Sequence, residues 1–114
     1  MGHRVLCAVA ELLQDAVSSA GDSFAARMGG EEFLLVLVGL DAAAAGRHLE
    51  HVRQTIRTYP WTALTGDVPV TISVGAAGFA GSPDTTVAEL FGRADGHLYL
   101  AKRAGRDRVV SYAT

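Results

Sequence analysis

Two glycines followed by two glutamates are the first residues in the chain whose types and spacing could do chemistry. Gly29 and Gly30 can both take positive φ, which suits a tight hairpin turn and leaves the backbone accessible to a ligand. Glu31 and Glu32 follow at once, and carboxylate oxygens are the ligands that hard divalent cations prefer. Paired acidic residues beside a turn are more often simply solvated. The residue types therefore leave a metal site and a solvated turn both open.

Two cations near the end of the chain form a second candidate group. Lys102 and Arg106 are four residues apart, so they share one helix face if the helix extends that far. They could bind an anion, or they could complement the helix dipole, which is worth about 0.3–1 kcal/mol each. The four histidines show no shared spacing of metal ligands; they are His3, His48, His51 and His97.

Hydrophobic periodicity and turn residues predict the element order helix, strand, strand, helix, strand, helix, strand. In chain order the predicted elements cover residues 4–18, 24–28, 31–40, 41–60, 70–74, 86–105 and 109–112. Residues 61–67 are predicted as a loop or a small hairpin. A helical crossover fits parallel strands, and helices packed on one face of a mixed sheet indicate an α+β fold, an α/β sandwich of the ferredoxin-like kind. We expect residues 1–114 to form a single domain.

Capping residues and apolar stripes predict how these helices begin, end and pack. Asp41 and Thr86 are predicted N-caps, and Gly105 is a predicted helix stop. The inward stripe of the second helix would be Ala45, Leu49, Val52 and Ile56. The inward stripe of the last helix would be Val87, Leu90, Phe91, Ala94, Leu98 and Ala101.

Composition excludes several classes of protein. Of the 114 residues, 49% are hydrophobic and 19% are charged, which argues against disorder. The formal net charge of −2 gives no electrostatic case for binding a nucleic-acid polymer. No apolar run approaches the ~20 residues that span a bilayer, and no signal-peptide pattern opens the chain. We expect a cytoplasmic protein without membrane contact, in which the lone Cys7 is a buried, inert thiol.

The order and spacing of several segments resemble the GGDEF family of diguanylate cyclases. Residues 26–33, ARMGGEEF, are similar to the family's signature hairpin, with Glu at its third position. Residues 71–75, TISVG, resemble a later strand, and residues 94–102 resemble its AD-x-x-LY-x-AK helix. Residues 105–107, GRD, stand where the family has G-R-N. Nearly the whole chain is covered, which implies the nucleotide-cyclase-like fold.

The resemblance implies condensation of two GTP into cyclic di-GMP for bacterial second-messenger signalling. It implies that Glu31 is the metal ligand nearest the reacting hydroxyl, with Mg²⁺ or Mn²⁺ as the metal, and that Glu32 helps to hold the nucleotide or neighbouring structure. Gly29 and Gly30 would let the backbone approach the nucleotide, while Lys102 and Arg106 would reach the terminal phosphates. The site would be completed in a homodimer, with sensory or regulatory domains upstream.

The start of the chain departs from the family pattern. The family opens with a strand bearing a metal-binding Asp, then a helix and the segment N-D-x-x-G-H-x-x-G-D. Gly2 matches the last Gly of that segment, and His3 stands where the guanine-reading Asp belongs. We therefore expect the first strand and first helix to be missing, by truncation or by natural loss, and this chain alone to be inactive. The alternative is a degenerate GGDEF module that acts as a nucleotide sensor or protein-interaction domain.

Two further expectations concern feedback and the sheet. Many family members carry R-x-x-D before the hairpin, where the product binds, but the equivalent residues here are Ala20 and Ser23. Product inhibition through that site is therefore not expected. The missing internal strand predicts an unpaired edge on the strand at residues 33–38 or on its neighbour. We expect that edge to be filled by direct pairing of the remaining strands or by a second copy of the chain.

Overall fold

The computed structural model describes residues 2–18, 23–29, 32–37, 40–78 and 84–111, and the fold is given for these residues. Its elements in chain order are α1 (His3–Ser18), β1 (Phe24–Gly29), β2 (Glu32–Val36), α2 (Ala42–Thr58), α3 (Thr62–Thr65), β3 (Val74–Ala76), α4 (Val87–Arg103) and β4 (Val109–Ser111). The predicted order is confirmed, with one correction. The segment expected to be a loop or hairpin contains the short helix α3.

Helix α1 packs through a narrow stripe of apolar residues at every fourth position. The buried residues are Val5, Val9, Leu13 and Val17. Cys7 lies about 200° around the helix from Val5, since each residue turns the helix by about 100°. Its side chain is exposed accordingly, with Sγ 3.6 Å from His3 Nε2. The prediction of a buried thiol was wrong.

Helix α2 begins and packs as its sequence predicts. The Asp41 side chain accepts a hydrogen bond of 2.8 Å from the backbone N–H of Ala44, so Asp41 is the N-cap. Leu49, Val52 and Ile56 are buried. The helix ends at Thr58, two residues before Pro60.

The described strands form two separate two-stranded sheets rather than one mixed sheet. β1 and β2 are antiparallel, with an irregularity between Arg27 and Gly29, while β3 and β4 are parallel. The expected direct pairing across the gap is therefore absent from the described residues, and pairing with a second copy stays a prediction. The strand predicted over residues 70–74 begins only at Val74, since the ladder with β4 starts there.

One hydrophobic core joins the β1–β2 sheet to the helices and to the segment that leads into β3. Phe33 and Leu35 of β2 pack against a cluster that also includes Val70 and contacts Ile72. Its buried members are Val5, Val9, Leu13, Val52, Ile56, Trp61 and Val70. Side-chain burial therefore connects the β1–β2 sheet to the segment before β3, while no backbone ladder joins the two sheets among the described residues.

Helix α4 contacts the protein mainly through the second half of its length. A Cβ placed on Gly75 of β3 would lie 2.1 Å from the backbone nitrogen of Leu98 and 2.2 Å from the carbonyl oxygen of Ala94. Only a glycine permits this approach. Near the start of the helix, Val87 is 83% exposed and Phe91 is 44% exposed.

The predicted inward stripe of α4 is therefore only partly correct. Ala101 is the one buried residue of this helix. The N-cap prediction is confirmed, because the Thr86 hydroxyl accepts a hydrogen bond of 3.1 Å from the N–H of Glu89. None of the helices in the described ranges is long and apolar enough to cross a membrane.

Candidate functional site

The β1–β2 hairpin carries the candidate carboxylates, and the structure describes only part of it. β1 ends at Gly29 and β2 begins at Glu32, and these two residues are cross-strand partners. Glu32 is exposed at the start of its strand. Gly30 and Glu31 lie outside the described residues, so the roles of Glu31 and of the Gly-Gly turn stay predictions.

The end of α4 carries the candidate cations, but they do not share a helix face. Lys102 lies in the last turn, and the helix ends at Arg103. Gly105 then takes φ +119°, and Arg106 takes φ +64°. The predicted helix stop at Gly105 is confirmed, so the condition for a shared face, a helix that extends to Arg106, is not met.

Arg106 nevertheless stays beside the last turn of the helix. Its backbone N–H donates a hydrogen bond of 2.9 Å to the carbonyl of Ala101, the 6→1 bond of a Schellman cap. The side chains of Lys102 and Arg106 are exposed, and neither forms a hydrogen bond or ion pair with another described residue. Both cations are therefore available to an anion.

An ion cluster centred on the buried Arg53 contacts this turn, and sequence analysis missed it. Arg53 of α2 is 8% exposed and forms ion pairs with Glu50 and Asp107. Its Nη1 donates to Asp107 Oδ1 at 2.6 Å and to the Asp107 carbonyl at 3.3 Å. The available signal was a charged residue next to Val52 on an otherwise apolar stripe.

The cluster shifts the titration of two of its members. Hydrogen bonding from Arg53 holds the pKa of Glu50 below its ordinary 4.5, against a smaller opposing effect of desolvation. The pKa of Arg53 is raised, mainly by its hydrogen bonds to Glu50. The cost of burial opposes this effect, and hydrogen bonding to Asp107 adds to it. The Arg53 guanidinium is therefore charged at every accessible pH, and the strength of the Glu50–Arg53 pair changes with pH only through protonation of Glu50.

The described residues do not by themselves supply a magnesium site. No three His, Cys, Asp or Glu side chains come together in the part of the chain that the structure covers. Glu32 is exposed, and Asp95 of α4 is also exposed. Since Mg²⁺ requires several oxygen ligands in octahedral geometry, these donors do not fit it.

Comparison with known families decides the ancestry of these elements. The profile of the family described as "Diguanylate cyclase, GGDEF domain" matches residues 1–108. The chain belongs to this family. The GGDEF match contains both the hairpin and the end of α4, so the two candidate groups belong to one domain type.

Curated relatives of this GGDEF chain are much longer than it is. Diguanylate cyclase DosC of Escherichia coli (strain K12) is 37% identical over 109 residues, which are 95% of this chain and 23% of that protein. A diguanylate cyclase of Vibrio cholerae is 32% identical over 111 residues, which are 97% of this chain and 33% of that protein. The chain thus spans about a quarter to a third of these relatives.

Solved GGDEF structures share the fold. The active GGEEF domain of a diguanylate cyclase from Vibrio cholerae matches with a TM-score of 0.80 and 32% identity, over 97% of this chain and 68% of that one. The GGDEF domain of DgcB from Caulobacter crescentus, in complex with c-di-GMP, matches with a TM-score of 0.77 and 30% identity, over 94% and 62%. The α+β, nucleotide-cyclase-like fold is confirmed.

Proposed function

We propose that this chain forms part of the GTP site of a diguanylate cyclase. The family match over residues 1–108 carries the proposal, because it includes the hairpin and the helix end together. In this assignment Glu31 and Glu32 serve the metal and the nucleotide, with Gly29 and Gly30 in the turn between the strands. Cyclic di-GMP formation joins the ribose 3′-hydroxyl of one GTP to the α-phosphate of another, and pyrophosphate leaves.

The phosphate contacts are assigned to the end of α4. Lys102 and Arg106 are exposed cations without ion-pair partners among the described residues, as binding of a triphosphate requires. Arg106 adds a planar fork of donors that matches two phosphate oxygens at once. Their role is to hold the terminal phosphates, which carry most of the charge of the substrate.

The same chain is proposed to be inactive by itself. The reaction needs a divalent cation to neutralise phosphate charge, and the described residues hold no suitable group of ligands. His3 stands at the place of a guanine-reading acid and offers an imidazole instead of a carboxylate. The missing ligands would come from residues upstream in a complete protein.

Assembly also belongs to the proposal. Each copy would hold one GTP, and two copies would face each other to complete one reaction centre. The length of the relatives fits a module that serves as the cytoplasmic output of a larger signalling protein.

The phosphate role is tested by charge-removing variants with a matched control. We expect Lys102→Ala and Arg106→Ala each to weaken GTP binding about tenfold, the effect of losing one charge-assisted hydrogen bond. Arg47→Ala removes an exposed charge from α2 and should change affinity less than about twofold. Nuclear magnetic resonance titration with GTP and Mg²⁺ measures even millimolar affinities.

Two results would argue against this role. Equal effects of all three substitutions would indicate non-specific charge attraction, and no binding at millimolar GTP would remove the phosphate site. GTP binding without turnover, both here and in a protein extended upstream, would favour the nucleotide-sensor alternative.

A further inference from the structure

The turn that presents Arg106 has an unfavourable backbone conformation. Gly105, Arg106 and Asp107 have φ values of +119°, +64° and +46° in succession. Gly takes such values freely and Asp tolerates them, but Arg does not favour them. A conformation of this kind persists only where neighbouring contacts hold it.

The contacts that hold the turn come from three elements. The Arg106 N–H is bound to Ala101 at the end of α4, and the Arg108 carbonyl accepts a hydrogen bond of 2.9 Å from the Val74 N–H of β3. The third contact comes from α2, 54 residues away in sequence, where Arg53 donates to both the carboxylate and the carbonyl of Asp107.

Arg53 is suited to hold this turn rigidly. It is buried, and a buried guanidinium must keep its hydrogen-bond partners because the loss of one leaves a charge uncompensated. Glu50 fixes one side of the fork, so the remaining donors point at Asp107. Arg57 also approaches Asp107, at 3.4 Å from Oδ2, but its side chain is 56% exposed and less constrained.

We infer that Arg53 is a positioning residue for the phosphate site: by binding Asp107 it fixes the turn that aims Arg106 at the terminal phosphates. The inference rests on the proposed role of Arg106. Arg53, together with the more exposed Arg57, also neutralises the Asp107 carboxylate, which lies near the proposed anionic ligand. Charge neutralisation and positioning make opposite predictions when Asp107 is removed.

The test uses the sign of the affinity change. If Asp107 acts only through its charge, Asp107→Ala removes a negative group beside the phosphates and should tighten binding. If Arg53 instead fixes the turn through its hydrogen bonds to Asp107, the same substitution should weaken binding of tripolyphosphate about three- to tenfold. This lies within the effect of one charge-assisted hydrogen bond. It should not weaken binding further in an Arg106→Ala background.

Backbone hydrogen exchange supplies an independent readout. The Arg106 N–H should exchange at least about tenfold faster in Asp107→Ala, because the turn then opens locally. Arg53→Lys should act in the same direction, since an ammonium cannot replace the two-pronged contact. Arg57→Met is the matched control in the same cluster, and it should change affinity and exchange less than about twofold, as expected of an exposed pair.

The outcomes separate this inference from the proposed function. Unchanged or tighter tripolyphosphate binding by Asp107→Ala, with Arg106→Ala still weakened, would overturn the positioning role alone. Equal binding by Arg106→Ala and the parent chain would remove the phosphate role, and the positioning role with it. Thermal unfolding of each variant verifies that the fold is retained.

Discussion

At the scale of single residues, the contact between Glu50 and Arg53 makes the free energy of unfolding depend on pH. Because the pKa of Glu50 is lowered in the folded chain, the pair contributes fully above the ordinary carboxyl value of 4.5 and less as pH falls through the lowered value. The Glu50 side chain is 47% exposed, so solvent screening limits the contribution to less than about 1 kcal/mol.

The corresponding variant is Glu50→Gln. We expect its free energy of unfolding to lie below that of the parent chain at pH 7, and the difference to shrink as pH drops below 4.5. Urea unfolding at both pH values measures this. Glu11→Gln on an exposed position of α1 is the control and should change stability little at either pH. A Glu50→Gln difference that grows in acid would contradict the assignment.

At the scale of elements, the packing of α4 on β3 depends on the absence of a side chain at Gly75. Gly75→Ala would place its Cβ within 2.2 Å of two backbone atoms of α4, so the helix must move. We expect the free energy of unfolding to fall by about 1–3 kcal/mol or more, measured as a thermal midpoint lower by roughly 4 °C or more.

A glycine within α4 itself provides the matched control. Gly96 has no atom within 4 Å of a built Cβ, so Gly96→Ala should stabilise the chain by about 0.4–1 kcal/mol. If both substitutions changed stability alike, the close approach of α4 to β3 would be wrong.

Elements set by local chemistry were predictable from the sequence, and those set by partners were not. Asp41 and Thr86 cap helices through hydrogen bonds to residues three positions away, so short motifs determine them. The strand pattern at residues 70–74 was present, but a strand also needs a ladder partner, and β4 pairs only from Val74. The prediction that the start of α4 is buried was wrong for the same reason. Periodicity identifies an apolar helix face but does not show which element packs against it.

In the candidate site, too, residues in local motifs were predictable from the sequence and residues joined by long-range contacts were not. The motifs that contain Glu32, Lys102 and Arg106 could be recognised because their members are close in sequence. The Arg53–Asp107 contact joins residues 54 positions apart, and no local pattern predicts such a pair. The helix stop at Gly105 was predictable from its residue type, and it is the reason that Lys102 and Arg106 do not share a helix face.

At the scale of the whole molecule, one core contacts the β1–β2 sheet and the segment before β3, while the described residues of the two sheets form no common ladder. Phe33 and Val70 belong to one apolar assembly, yet β1–β2 and β3–β4 are separate ladders in the described residues. The same division runs through the proposed site, in which the hairpin carries the acids and the end of α4 carries the cations.

The most direct test of this account is cyclic di-GMP formation from GTP and Mg²⁺. The purified 114-residue chain would be compared with a version extended upstream by its native sequence. We expect product only from the extended protein, because the described residues supply no group of ligands for the metal, and we expect Glu31→Gln to abolish product there. Turnover by the chain alone at a rate comparable to that of the extended protein would contradict the account.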